Sequence, residues 1–306
     1  MPAFALRRRA LALLAPLALA PLALAAGACG KPRLVPLSVQ LQGEPRILRV
    51  PPALVRTREG AEVPVQPGYA DAFYGRVAPA LERWGLDIRL VVEPAYVGAI
   101  LLRESRYDTL AVGPGAAGTG PALGLAQITP AADAELRAAT ALPQFAWMAA
   151  EVNGWPRDPA VHGTPAPDAA AVRARVAGGS LTAANEYLLG AERSARAAMF
   201  WVKVLQTRWT TDAFPGADGS FARRAIAGGR ELTNDQVLDL VTVSYHRGHA
   251  WTRAAVERLG PTWVARLPEL GAEGADAADY LDRVRFYFRL LGGDPAVYPQ
   301  QRTRQR

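Results

Sequence analysis

Residues 91–130 run VVEPAYVGAILLRESRYDTLAVGPGAAGTGPALGLAQITP, and the fold expected of the chain hangs on them. Pro94 sits where a first helical turn tolerates proline, and Val97, Ile100 and Leu101 follow at helical spacing. Glu104 lies three places beyond Leu101 and seven beyond Val97, so the spacing sets a carboxylate on the apolar face near the helix end. Burial there disfavours the charged form, and the negative end of the helix dipole pushes the same way. Arg103 and Arg106, one and two places away, do not share that face and need not reach the carboxyl. A carboxyl kept protonated near neutral pH is what a general acid needs to donate to a leaving-group oxygen. The alternative is a Glu that frays into solvent, the commoner fate of a helix-terminal acid.

The downstream residues favour the first reading. After Glu104-Ser105 comes a Gly-rich loop, Gly113 to Gly120, and then Gly124-Leu125-Ala126-Gln127-Ile128-Thr129-Pro130. The stretch resembles the lysozyme-like (SLT-type) peptidoglycan lytic transglycosylases of bacteria. Their signature is a Glu-Ser pair at a helix end, a glycine-rich turn, and Gly-Leu-Met-Gln followed closely by Pro. Ala126 replaces the family's Met, and Gly118 stands where the family has Ser, with Thr119 one place off register. The resemblance implies a mainly α, all-α class of fold: a lysozyme-like domain, here with an inserted lobe and an extended N-terminal tether.

Working outward to the N-terminus, Arg7-Arg8-Arg9 precede LALLAPLALAPLALAAGA, an apolar run of signal-peptide character broken by Pro16 and Pro21. Cys29, the single cysteine, closes the run and resembles the acylated cysteine of bacterial lipoproteins. A lone exported cysteine cannot form an intramolecular disulfide, so lipidation explains it better than a structural thiol; plain cleavage nearby and an uncleaved anchor are the alternatives. Gly30 is not the Asp that retains lipoproteins at the inner membrane, which makes the expected address periplasmic and outer-membrane. Residues 1–28 are thus expected to be a signal peptide, 29–66 a proline-rich tether with one hairpin, 67–295 the catalytic domain and 296–306 a basic tail. The chain of 306 residues is 50% hydrophobic and 21% charged, ordinary for a globular protein. Its formal charge of +7 falls to +4 once the three signal arginines leave, which suits an anionic polymer or a membrane surface. No basic stripe interleaved with aromatics points to nucleic acid.

Toward the C-terminus, Tyr69 to Trp84 and Ala131 to Leu142 have helical patterns, and Pro143 to Gly179 is expected to be an insertion. Trp147 and Trp155 within it are candidates either to stack on sugar rings or to pack the insertion. A helix is predicted over Glu192 to Trp209, and Thr233 with Gln236 predicts a capping box for the next, whose Val237, Leu240, Val241 and Ser244 face inward. That helix delivers Tyr245-His246-Arg247-Gly248, where the resembled family has Tyr-Asn-Ala-Gly. Tyr245 and Gly248 match, and His246 can substitute for an amide because a neutral imidazole donates and accepts one hydrogen bond each. With only His162, His246 and His249 in the chain, no metal site is expected. In the last predicted helix Ala277, Tyr280, Leu281, Val284, Tyr287 and Leu291 share a face, and Tyr280 resembles the tyrosine of the family's C-terminal motif without its preceding Glu-Thr. Pure core is the alternative for Tyr280.

The resemblance implies cleavage of the β-1,4 bond from N-acetylmuramic acid to N-acetylglucosamine in peptidoglycan strands by one carboxyl and no cofactor. Glu104 donates to the glycosidic oxygen, the substrate's N-acetyl oxygen attacks C1, and the resulting carboxylate takes the C6 hydroxyl proton as a 1,6-anhydro ring closes. The ordinary glycosidase scheme needs a second carboxylate, and no strong partner stands out: Asp108 is close in sequence, but a loop position could as easily be surface. Tyr245 is expected to orient Glu104, with Gly124, Leu125, Gln127, His246 and Tyr280 shaping the substrate groove and Ser105 holding the helix end beside it. A water-using muramidase and a non-catalytic wall-binding lipoprotein are the competing functions. The implied partners are glycan strands and, through the lipid anchor, a membrane; the protein is expected to be a monomer.

Overall fold

The computed structural model describes residues 55–56, 62–63, 94–107, 111–113, 121–154, 191–291, 293–294 and 298. The expected signal peptide, Cys29, the helix over Tyr69 to Trp84, Asp108, Gly118, Trp155, His162 and the basic tail lie outside them. So does residue 155 onward of the expected insertion, up to Gly179. Within the expected tether, β1 (Val55–Arg56) pairs antiparallel with β2 (Glu62–Val63), Val55 opposite Val63.

The described chain is mainly helical. Its central element is α6 (Asn234–Arg247), in which every residue from Val237 to Ser244 is buried. A helix buried all round must be wrapped by others. Around it pack α4 (Ala191–Thr210), α7 (His249–Leu259) and α9 (Ala272–Leu290). The expected capping box starts α6: the Thr233 backbone N–H donates to Gln236 Oε1 at 3.0 Å. Gly248, at φ +86°, ends α6 and turns the chain into α7.

The helix α1 (Pro94–Ser105) lies against α9 and α4. Its buried surface exceeds the predicted stripe, since Ala95, Tyr96 and Leu102 are buried along with Val97, Ile100 and Leu101. Gly98 permits this: a Cβ there would stand 3.0 Å from Leu291 Cδ1. The helix stops in two successive left-handed residues, Arg106 at φ 54° and Tyr107 at φ 62°, a conformation unfavourable for L-residues by about 1–2 kcal/mol each. The buried Tyr107 is turned back along the helix and donates its hydroxyl to Gly98 O at 2.9 Å.

After α1, β3 (Val112–Gly113) and β4 (Ala122–Leu123) form a short antiparallel pair. Then come α2 (Pro130–Ala139), capped by Thr129 Oγ1 accepting from Ala132 N, a 3-10 turn (Pro143–Met148) and α3 (Ala149–Gly154). The first part of the expected insertion is therefore helical, anchored by buried Phe145, Met148 and Val152. Beyond α4, α5 (Gly219–Ala227) precedes α6. Past α7, a 3-10 turn (Gly260–Thr262), α8 (Trp263–Arg266) and a second 3-10 turn (Leu267–Leu270) lead into α9.

A polar network runs through the core between α1, α6 and α9. Arg285 Nη2 donates to both Asp239 oxygens at 2.6 Å, and Tyr298 Oη donates to Asp239 Oδ1 at 2.7 Å. Tyr96 Oη meets Thr242 Oγ1 at 2.8 Å, and the Tyr96 and Tyr298 rings touch edge to face. Burial pushes the Asp239 carboxyl up to about 6, which leaves it ionised at neutral pH opposite Arg285.

Candidate active site

Glu104 ends α1 at the wall of a cavity of about 450 Å³. Gly113, Ala122 and Gln127 from the β3–β4 segment border it, as do Ala131, Ala132 and Glu135 from α2, Trp201 from α4 and Ser244 to Gly248 from the end of α6. The Glu104 side chain is half-buried. Burial lifts its carboxyl from 4.5 to about 7, while the Tyr280 hydroxyl and the Arg103 charge pull the other way. The acid thus keeps its proton at neutral pH in a large fraction of molecules.

Tyr280, buried on α9, donates its hydroxyl to Glu104 Oε1 at 2.5 Å. This bond was expected from Tyr245, and the structure assigns it otherwise: Tyr245 Oη donates to Ala126 O at 2.8 Å. The two phenols divide the work. Tyr280 holds the acid, and Tyr245, still close enough for the Glu104 charge to raise its pKa alongside burial, holds the turn that faces it. The resemblance pointed to both tyrosines, and nothing in the sequence could say which hydroxyl reaches the carboxyl.

The turn itself is fastened by Gln127. At φ 50° its Nε2 donates to Gly124 O at 2.8 Å and Ala111 O at 3.1 Å, closing the base of the β3–β4 hairpin. A Cβ at Gly113 would stand 2.4 Å from its Oε1, so any larger residue there would have to push the Gln127 amide aside. Gln127 therefore shapes the cavity by holding its wall as well as by lining it. Gly124, at φ 68°, and the buried Leu125 build the same turn from behind and do not border the cavity. Ala126, in the place of the family's Met, is buried and donates its N–H to Ser194 Oγ at 2.9 Å. Ser105 is buried with its hydroxyl on Leu101 O at 3.1 Å, holding the helix end and facing away from the cavity lining.

His246 borders the cavity and is engaged on its other side. Its Nε2 lies 2.6 Å from Asp276 Oδ2, and its ring stacks on that of Tyr280 at 4.2 Å and 5°. Burial lowers its pKa, with Asp276 opposing, so the imidazole is neutral and Nε2–H donates. Arg247 is held by Glu273 at 2.9 Å and lies over the Trp251 ring.

Two cavity residues carried no signal in the sequence. Trp201 lies on α4 beside the predicted apolar stripe and is almost fully buried, yet its indole borders the cavity. Glu135 is an exposed acid on α2, paired with Arg208 at 3.5 Å, and among the described residues it is the second carboxyl of the cavity lining. Trp147, by contrast, is exposed against Phe200 and is not part of that lining. Among the described residues no group of three or more His, Cys, Asp or Glu is placed to hold a metal ion, and no helix is long and apolar enough to cross a membrane. No protein-family profile, curated protein or solved structure matches the chain.

Proposed function

We propose that the protein is a murein lytic transglycosylase with a lysozyme-like domain, cleaving the β-1,4 bond between N-acetylmuramic acid and N-acetylglucosamine and leaving 1,6-anhydromuramoyl ends. The observation that carries this reading is one carboxyl, lifted to about 7 by burial, at a cavity wall with a phenol donating to it. Such a group can give a proton and take one back within a single turnover. Glu104 protonates the glycosidic oxygen as charge develops at C1, and the substrate's N-acetyl oxygen closes on C1. The Tyr280 hydroxyl stabilises the carboxylate left behind, which then accepts the C6 hydroxyl proton as O6 displaces the acetamido oxygen. No water is consumed and no cofactor is involved.

Mass spectrometry of peptidoglycan digested by the wild type and by Glu104→Gln tests the reading. Anhydro-ended fragments from the wild type alone support it. Sedimentation with insoluble wall without release of fragments points instead to a binding lipoprotein.

A second reading, hydrolysis by a muramidase on the same fold, is favoured by Glu135 in the cavity lining, since an inverting scheme needs a second carboxylate to activate water. Its products carry reducing ends, and they disappear in Glu135→Gln. The proposed location is the periplasmic face of the outer membrane, with Cys29 lipidated and the protein monomeric. Detergent-phase partition of the wild type, lost in Cys29→Ser, tests the anchor.

A further inference from the structure

We infer that His246 and Asp276 form a clamp that positions Tyr280 on the Glu104 carboxyl, so that His246 serves proton transfer through the phenol it holds. The inference rests on the reading of Glu104 as the acid.

The Tyr280 hydroxyl links α9 to the carboxyl at the end of α1, and a donor at 2.5 Å is useful only if its ring cannot swing. Two groups immobilise that ring: the His246 imidazole, stacked nearly parallel at 4.2 Å, and the Arg103 guanidinium, 5.2 Å from the ring centroid. The imidazole is fixed in turn by Asp276 at 2.6 Å. Asp276 and Tyr280 are four places apart on α9 and share a face. His246, reaching over from α6, is therefore anchored at one turn of α9 and stacks on the next. An asparagine in place of His246 would supply an amide and no aromatic face. Arg103 is itself tied to α9 through Asp279 at 3.6 Å, so the clamp is built from α1, α6 and α9 together. Among the described residues, the charged and titratable groups that act on Glu104 are Arg103, Tyr245 and Tyr280. Those facing His246 are Asp276, Arg247 and Arg103.

A sugar-binding role for His246 and a positioning role predict different kinetics. On uncrosslinked glycan strands, assayed with the full chain from about pH 5 to 9, His246→Ala is expected to lower kcat roughly 10- to 100-fold, with KM within about twofold of wild type. The basic limb of its pH profile moves upward, because the carboxylate has lost a well-aligned donor. His246→Phe keeps a ring to stack and recovers most of kcat; Asp276→Asn falls between. Thermal melts confirm that each variant is folded, and if His246→Ala is not, the limb of Asp276→Asn decides. A rise in KM alone, an unmoved limb, or a Phe variant as slow as the Ala variant overturns the clamp. Glu104→Gln separates the two levels: activity retained there removes the acid assignment itself, whereas an inactive Glu104→Gln beside an unmoved limb removes only the clamp.

Discussion

The side chain on which the proposed chemistry depends is held in a state that the fold would be more stable without. The folded chain binds the Glu104 proton more tightly than the unfolded chain, so its contribution to stability is complete below the ordinary value of 4.5 and is lost as pH climbs through about 7. Glu104→Gln is therefore expected to melt higher than wild type at pH 8, by on the order of 1 kcal/mol, while losing about 10²- to 10⁴-fold in glycan cleavage. Calorimetry beside an activity assay checks both halves. Wild-type turnover should decline as pH rises past about 7, because the acid must enter the reaction protonated. Tyr280→Phe removes a donor to the carboxylate; it should lower kcat about tenfold and carry that decline to higher pH, measured as a pH–rate profile. Glu104 was legible in the sequence because an acid on an apolar helical face is conspicuous. Glu135 was not, because an exposed acid on a helix is what most surfaces carry, and only the fold brings it to the cavity that Glu104 borders.

At the level of elements, periodicity and caps located what they could reach. The helices carrying Val97 to Leu101, Ala195 to Trp209 and Val237 to Ser244 follow their apolar spacing, and the Thr233–Gln236 box forms where its spacing requires. The end of α1 escaped, because Arg106 and Tyr107 take left-handed backbone without a glycine to announce it. What compensates is tertiary: the Tyr107 hydroxyl on Gly98 and a ring packed at zero exposure. Gly274 was equally silent. It lies in the first turn of α9, where a Cβ would meet Leu267 O at 1.9 Å and Leu270 Cβ at 2.8 Å. Because backbone cannot yield as a side-chain tip does, Gly274→Ala should destabilise the protein by about 2–4 kcal/mol in urea unfolding. It should also weaken the Tyr280 contact, since the whole helix must shift.

Across the whole molecule, the Asp239–Arg285 pair with Tyr298 joins α6, α9 and the chain beyond it, while Tyr96 brings in α1. Asp239 and Arg285 stand off the faces that apolar spacing marked as core, yet both are buried, so nothing in the sequence foretold the network. Removing one partner strands the other in the core: Asp239→Ala is expected to cost about 3–5 kcal/mol, and the double variant Asp239→Leu/Arg285→Met to recover much of it, read by chemical denaturation of both. The network keeps α1 and α9 in register, and the 2.5 Å bond joins residues 176 positions apart. A chain emerging from synthesis with its N-terminus leading therefore carries Glu104 long before it has Tyr280, the phenol that donates to it. The Glu104–Tyr280 bond can therefore form only once α9, the last helix among the described residues, has docked against α1, so this contact belongs to the closing step of folding.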